Sequence, residues 1–155
     1  MTAFNNYALA QQIEAGEVFY GEPVIVEVDD FTPQYFKIVT DANQVSLRVS
    51  VVAKDDTGFV LTKGGTMASG SSVPIINMNR NVSDTFGTTI IYGPTASSGA
   101  AFVQTTFVSG ETSPLTPVGL GAGVILEPST TYVGYVIPIC GSPLWPNISF
   151  FLRNI

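Results

Sequence analysis

The chain has 155 residues, 45% of them apolar and only 12% charged, with a formal net charge of −6, a sequence pI near 4.3 and no histidine. Such acidity excludes nucleic acid as a direct partner, because phosphate contact needs a basic patch. The missing histidine excludes Ser-His-Asp and Cys-His catalysis and removes the commonest zinc ligand.

Typical soluble domains are about 25% charged. A chain this bare finishes its surface with Ser, Thr, Asn and Gly, or covers it with other protein, since interface cores are depleted in charge. The charge is also unevenly placed. Residues 1–56 hold nine acids and three bases, which is the whole net charge, while residues 57–155 hold three of each. The composition reads as a subunit of an assembly before it reads as an enzyme.

At this length the chain is one domain with one core. The first residues lack a basic region followed by an apolar run, so no signal peptide is expected. A short helix over Tyr7–Ala15, stopped by Gly16, or an extended arm, is expected within residues 1–17, ahead of a β-sandwich over 18–155. Val24, Val26 and Val28 then alternate with Ile25 and Glu27. Tyr35–Thr40 and Val45–Ala53 alternate in the same way around Asp41-Ala42-Asn43 and are expected to pair as a hairpin. Asp55-Asp56-Thr57-Gly58 is the next turn, and Phe59–Thr62 returns. Further strands are predicted at Ile75–Met78, Thr88–Tyr92, Ala101–Val108, Gly123–Leu126, Thr131–Ile139 and Ile148–Arg153. Between them lie Gly, Pro, Ser and Thr clusters, the signature of an all-β sandwich or barrel. The longest apolar run, Tyr132 to Cys140, is broken by Gly134 and Pro138 and is far short of the ~20 residues of a membrane helix.

Little of this is catalytic. Cys140, the one cysteine, lies in an apolar run and is expected to be buried and inert. Asp29-Asp30 and Asp55-Asp56 are neighbours in sequence, and neighbours on a strand face opposite ways, so neither pair converges on a metal or substrate. Gly119-Leu120-Gly121-Ala122-Gly123 lacks the spacing and lysine of a phosphate loop. Asn81-Val82-Ser83 and Asn147-Ile148-Ser149 match the glycosylation pattern by chance. No catalytic, cofactor or metal residue is therefore assigned.

Two places stand out as non-catalytic. Asn77, Asn79 and Arg80 form a structural polar site, with Arg80 expected to brace a loop and an intersubunit contact as its other reading. Trp145, beside Leu144 on a Pro-bounded loop, either closes one end of the sandwich or anchors an interface. Phe4, Tyr7 and Leu9 are apolar without a strand pattern and read as an arm reaching a neighbouring subunit.

Several segments, in order, resemble a family. They are Ile13-Glu14-Ala15-Gly16-Glu17-Val18-Phe19, Gly65-Thr66, Asn77-Met78-Asn79-Arg80-Asn81, Leu126-Glu127-Pro128-Ser129-Thr130-Thr131-Tyr132 and Asn147-Ile148-Ser149-Phe150. Their order and spacing are similar to those of small tailed-phage virion proteins that decorate or cement the head. The final Phe151-Leu152-Arg153-Asn154-Ile155 departs from the aromatic, acidic ending of such proteins. The resemblance implies a jelly-roll-like β-sandwich on the outer surface of a phage head, made in the host cytoplasm. It implies the major capsid protein and a second copy of the chain as partners, a homodimer with a trimer as the alternative, and no enzyme activity. Two other readings stay open: a tail-fibre or receptor-binding module that recognises host surface glycans, and a carboxylate-based glycan hydrolase.

Overall fold

A computed structural model describes residues 9–23, 33–52, 57–67, 70–93, 101–108, 118–119, 124–138 and 147–155. The fold is an all-β sandwich of two antiparallel sheets. A short helix α1 (residues 9–14) leads into twelve strands. They are β1 (Phe19–Gly21), β2 (Gln34–Val39), β3 (Val45–Val52), β4 (Thr57–Lys63), β5 (Ser71–Ser72), β6 (Ile75–Asn77), β7 (Thr89–Gly93), β8 (Ala101–Val108), β9 (Val118–Gly119), β10 (Val124–Leu126), β11 (Thr131–Pro138) and β12 (Asn147–Asn154). The segment Val24–Val28 lies outside the described residues.

The first sheet runs β10-β3-β12-β1-β6, with β9 also on β3, and the second runs β5-β7-β2-β11-β4-β8. Setting β5, β6 and β7 aside exposes the plan. β1 pairs with β12, β2 with β11, β3 with β10 and β4 with β8, so the first half of the chain pairs with the second half in reverse order. Successive pairs alternate between the sheets. This nested ribbon, folded over on itself, is a jelly-roll-like arrangement of the sandwich.

The core follows from period-2 patterning. Val45, Leu47, Val49 and Val51 of β3 point inward with Ile148, Phe150 and Leu152 of β12, and meet Phe36, Ile38, Phe59, Leu61, Tyr132 and Val136 from the other sheet. Phe36 lies at the centre, stacked on Phe59 and edge-on to Phe150 across the sandwich, with ring centroids 5.7 and 5.1 Å away. Gly134 makes this possible. A Cβ there would lie 2.5 Å from the Phe36 ring and from the Val60 carbonyl oxygen.

The expected hairpin of β2 and β3 is not formed. The two strands belong to opposite sheets, and so do β3 and β4. Either arrangement buries the same alternating residues, so periodicity does not choose between them. The choice is made from outside the turn. Thr40 Oγ1 donates to the Glu127 carbonyl at 2.6 Å and accepts the Thr130 N–H at 2.9 Å, while Ser129 N–H donates to Asp41 O at 2.6 Å. The β2–β3 arch thus locks onto the β10–β11 arch, and each steps across the roughly 10 Å between sheets.

Strands β5 to β7 form an insertion between β4 and β8. It begins on the second sheet with β5, crosses through Val73-Pro74 to β6 on the first, and returns to β7 on the second. Val73 is buried in the core, and Phe86, on the return, packs on Phe19 with ring centroids 4.6 Å apart. The insertion therefore plugs the β1/β2 side of the sandwich.

Candidate functional site

The strongest local constellation is the clasp between α1 and the end of β6. Helix α1 ends as Gly16 predicts: Gly16 has φ 75°, its N–H donates to Ile13 O, and Glu17 N–H reaches Gln12 O. This is the paired bonding of a Schellman stop. Other carbonyls of this end are taken by asparagine amides. Asn77 Nδ2 donates to Gly16 O and Asn79 Nδ2 to Glu14 O, both at 2.8 Å. Each asparagine oxygen accepts the N–H two residues on, from Asn79 and Asn81. The three Asn at alternate positions thus make a run of side-chain turns, and the first two hold the helix down. Asn77 is buried, with its amide satisfied at both ends.

Arg80 does not take part. Its side chain is exposed, and it makes no ion pair or hydrogen bond among the described residues. The bracing expected of the guanidinium is done by Asn77 and Asn79. Amides fit the task because a helix end offers uncharged carbonyls in want of single donors.

Of the expected interface residues, Phe4, Tyr7, Leu144 and Trp145 lie outside the described residues, as does Cys140. Leu9 is described. It opens α1 and lines a groove of about 230 Å³ between the helix and the outer face of the first sheet. Gln12 and Val18 form one wall, and Arg48, Phe151 and Arg153 the sheet side. Arg153 Nη2 pairs with Glu17 at 2.9 Å, and its Nε is enclosed without a partner among the described residues. The same outer face carries the Tyr20–Phe151 ring pair, 5.3 Å apart, with Ile76 and Ile125 exposed at its two margins. Burial, and then the hydrogen bond to Glu22, raise the Tyr20 phenol above its usual value. The mixture of aromatic rings, arginines and exposed isoleucines suits contact with a protein more than a solvated face.

Among the described residues no three of His, Cys, Asp or Glu come together as metal ligands would. Asp29, Asp30, Asp55 and Asp56 lie outside those residues. No helix among them is long and apolar enough to cross a membrane. The sequence reading missed the outer-face aromatics, because Tyr20 sits in a three-residue strand too short to show a period. Comparison with family models, curated proteins and solved structures gives no match.

Proposed function

We propose that this chain is a non-enzymatic virion structural protein, a decoration or cement protein that binds the outer surface of a phage head and stabilises contacts between capsomers. One observation carries the reading: a jelly roll built on a chain nearly bare of charge from residue 57 onward. Jelly rolls serve in viral capsid and lectin domains, and the fold alone does not select among its uses. The poverty of charge favours a surface meant to be covered, and the motif resemblance names the shell. The physical logic is multivalency. Each copy buries a modest interface, roughly 800 Å² per partner, and many copies spanning neighbouring capsomers resist the pressure of packaged DNA together.

The motifs behind the resemblance have structural work in this fold, which supports it as a shared architecture. Gly16 stops α1, Asn77 and Asn79 hold that helix, and Leu126 to Tyr132 forms the β10–β11 arch, where the Tyr132 hydroxyl accepts the Glu127 N–H at 2.9 Å. The test is cryo-electron microscopy of heads incubated with purified protein. Density at fixed symmetry positions on the outer surface, with a raised temperature of DNA release, is the expected result. Removing residues 2–12 should weaken attachment and leave the sandwich folded. The groove beside Leu9, with Phe151 and Arg48, favours a second reading, a tail module that recognises host glycans. Localisation at the tail alone, with glycan-array binding, would select it.

A further inference from the structure

The margins of the two sheets differ in kind. β5 and β9 are two residues long, and β6 and β10 three. Short strands are a natural way to blunt an edge. β8 is the exception. It runs eight residues, pairs with β4 along its length, and has no strand on its other side among the described residues. Its sequence, Ala101-Phe102-Val103-Gln104-Thr105-Thr106-Phe107-Val108, contains no charge, proline or glycine, the usual edge guards. The pairing shifts between Leu61 and Thr62, so the irregularity lies toward Ala101. Gln104–Val108 stay in plain register with Thr57–Leu61. What remains, among the described residues, is an unguarded row of backbone donors and acceptors.

A strand pairs along the whole of such a row, and three facts select a second copy of this chain. Two identical antiparallel edges related by a two-fold axis are self-complementary, each N–H meeting a carbonyl and the converse. The net charge of −6 lies wholly in residues 1–56, whereas β4 and β8 belong to the neutral remainder, so two acidic chains meet here by their uncharged parts. Among the described residues the other edges are too short to continue the addition, so pairing closes at two copies. We propose that β8 pairs antiparallel with β8 of a second copy, joining the two six-stranded sheets into one continuous sheet across a dimer. The dimer's role on a shell rests on the function proposed above; its existence does not.

Sedimentation velocity on the full chain tests it, with Thr105→Pro and Thr106→Pro measured side by side. Consecutive N–H groups of an antiparallel strand point to opposite sides. One substitution therefore removes a bond to β4 and lowers the melting temperature. The other touches the free edge alone. The expected result is a wild-type dimer and a monomer for the variant that keeps its melting temperature. The double variant Thr105→Lys, Phe107→Lys, at positions that lie opposite Val60 and Gly58 in register rather than the core residues Phe59 and Leu61, restores an edge guard and should weaken the dimer by roughly tenfold or more while the monomer stays folded. A wild-type chain that is monomeric at every concentration overturns the proposal, as does a dimer indifferent to all three variants. These measurements use no particles, so failure of the dimer and failure of the head reading are separate results.

Discussion

The two sides of the sandwich solve the same problem differently. A jelly roll leaves a seam on each side where its sheets part. On the β1/β2 side the seam is filled: the insertion crosses it, Val73 enters the core, Phe86 covers Phe19, and the Asn77 amide is bonded in a buried site. On the β4/β10 side Leu126 enters the core from β10, and the described side-chain tie between β4 and the end of β10 is the Lys63–Glu127 ion pair at 2.5 Å, about half exposed at each end. A buried plug fills one seam, and a solvated ion pair lies across the margin of the other. The difference teaches where stability and association each reside. The filled side should be costly to alter, and the other should be cheap to alter and available for contact.

Phe19→Ala is the hardest test. It removes a buried ring from β1 and leaves Phe86 without its partner, so we expect a loss of about 3–5 kcal/mol in urea denaturation. A loss below about 1 kcal/mol would break the comparison, because the plug would then carry no stability. Next comes Asn77→Ala, which strands the Gly16 carbonyl and the Asn79 N–H, with an expected cost of about 1–3 kcal/mol. The neighbouring Arg80→Lys should stay within about 0.5 kcal/mol, as for an exposed side chain without a partner among the described residues.

Tyr92 on β7 sharpens the picture through pH. Its hydroxyl donates to Gln34 Oε1 at 2.7 Å, and burial pushes the phenol from 10.0 up to about 12. The unfolded chain ionises first. The contribution of the neutral phenol is therefore whole below pH 10 and is lost as pH rises toward 12. Tyr92→Phe should cost about 1 kcal/mol at neutral pH and flatten that alkaline decline, read from denaturation curves across the range. The smallest effect belongs to the other seam. Lys63→Ala should leave the denaturation midpoint unchanged, at low salt and at high, since exposed ion pairs contribute little. A clear loss there would show that both seams are stapled.

Much of the fold was legible because burial imposes a period of two. Ala101–Val108 is predicted to the residue, and Val45–Val52, Thr131–Pro138 and Asn147–Asn154 within one. Strand partners were not legible. The alternation in Phe36-Lys37-Ile38 and Val45-Ser46-Leu47 says which residues face a core, and a hairpin and an arch between sheets satisfy it equally. The decision rests on Thr40 and Thr130, ninety residues apart. Strands β1, β5 and β9 were missed because two or three residues carry no period, and unlike β6 and β10 they hold no run of aliphatic residues to mark them. At the clasp, the Asn-x-Asn-Arg segment stands out in the sequence as polar, and in the fold its first two asparagines bond the end of α1. The weight fell on its charge, because a lone guanidinium in a neutral region draws the eye, while helix carbonyls are best met by amides.

The nested pairing has a kinetic consequence. Among the described residues β1 has no strand neighbour but β6 and β12, and β12 lies some 130 residues further along the chain. β2 waits likewise for β11, and β3 for β10 and β12. Contacts this distant in sequence make folding slow, because the entropy of closing long loops is lost before packing repays it. On the ribosome β1 to β4 would emerge long before the strands that complete them, with Leu47, Val49 and Phe59 uncovered in the interval. The interval of exposure closes only when β12 arrives to complete β1 and β3.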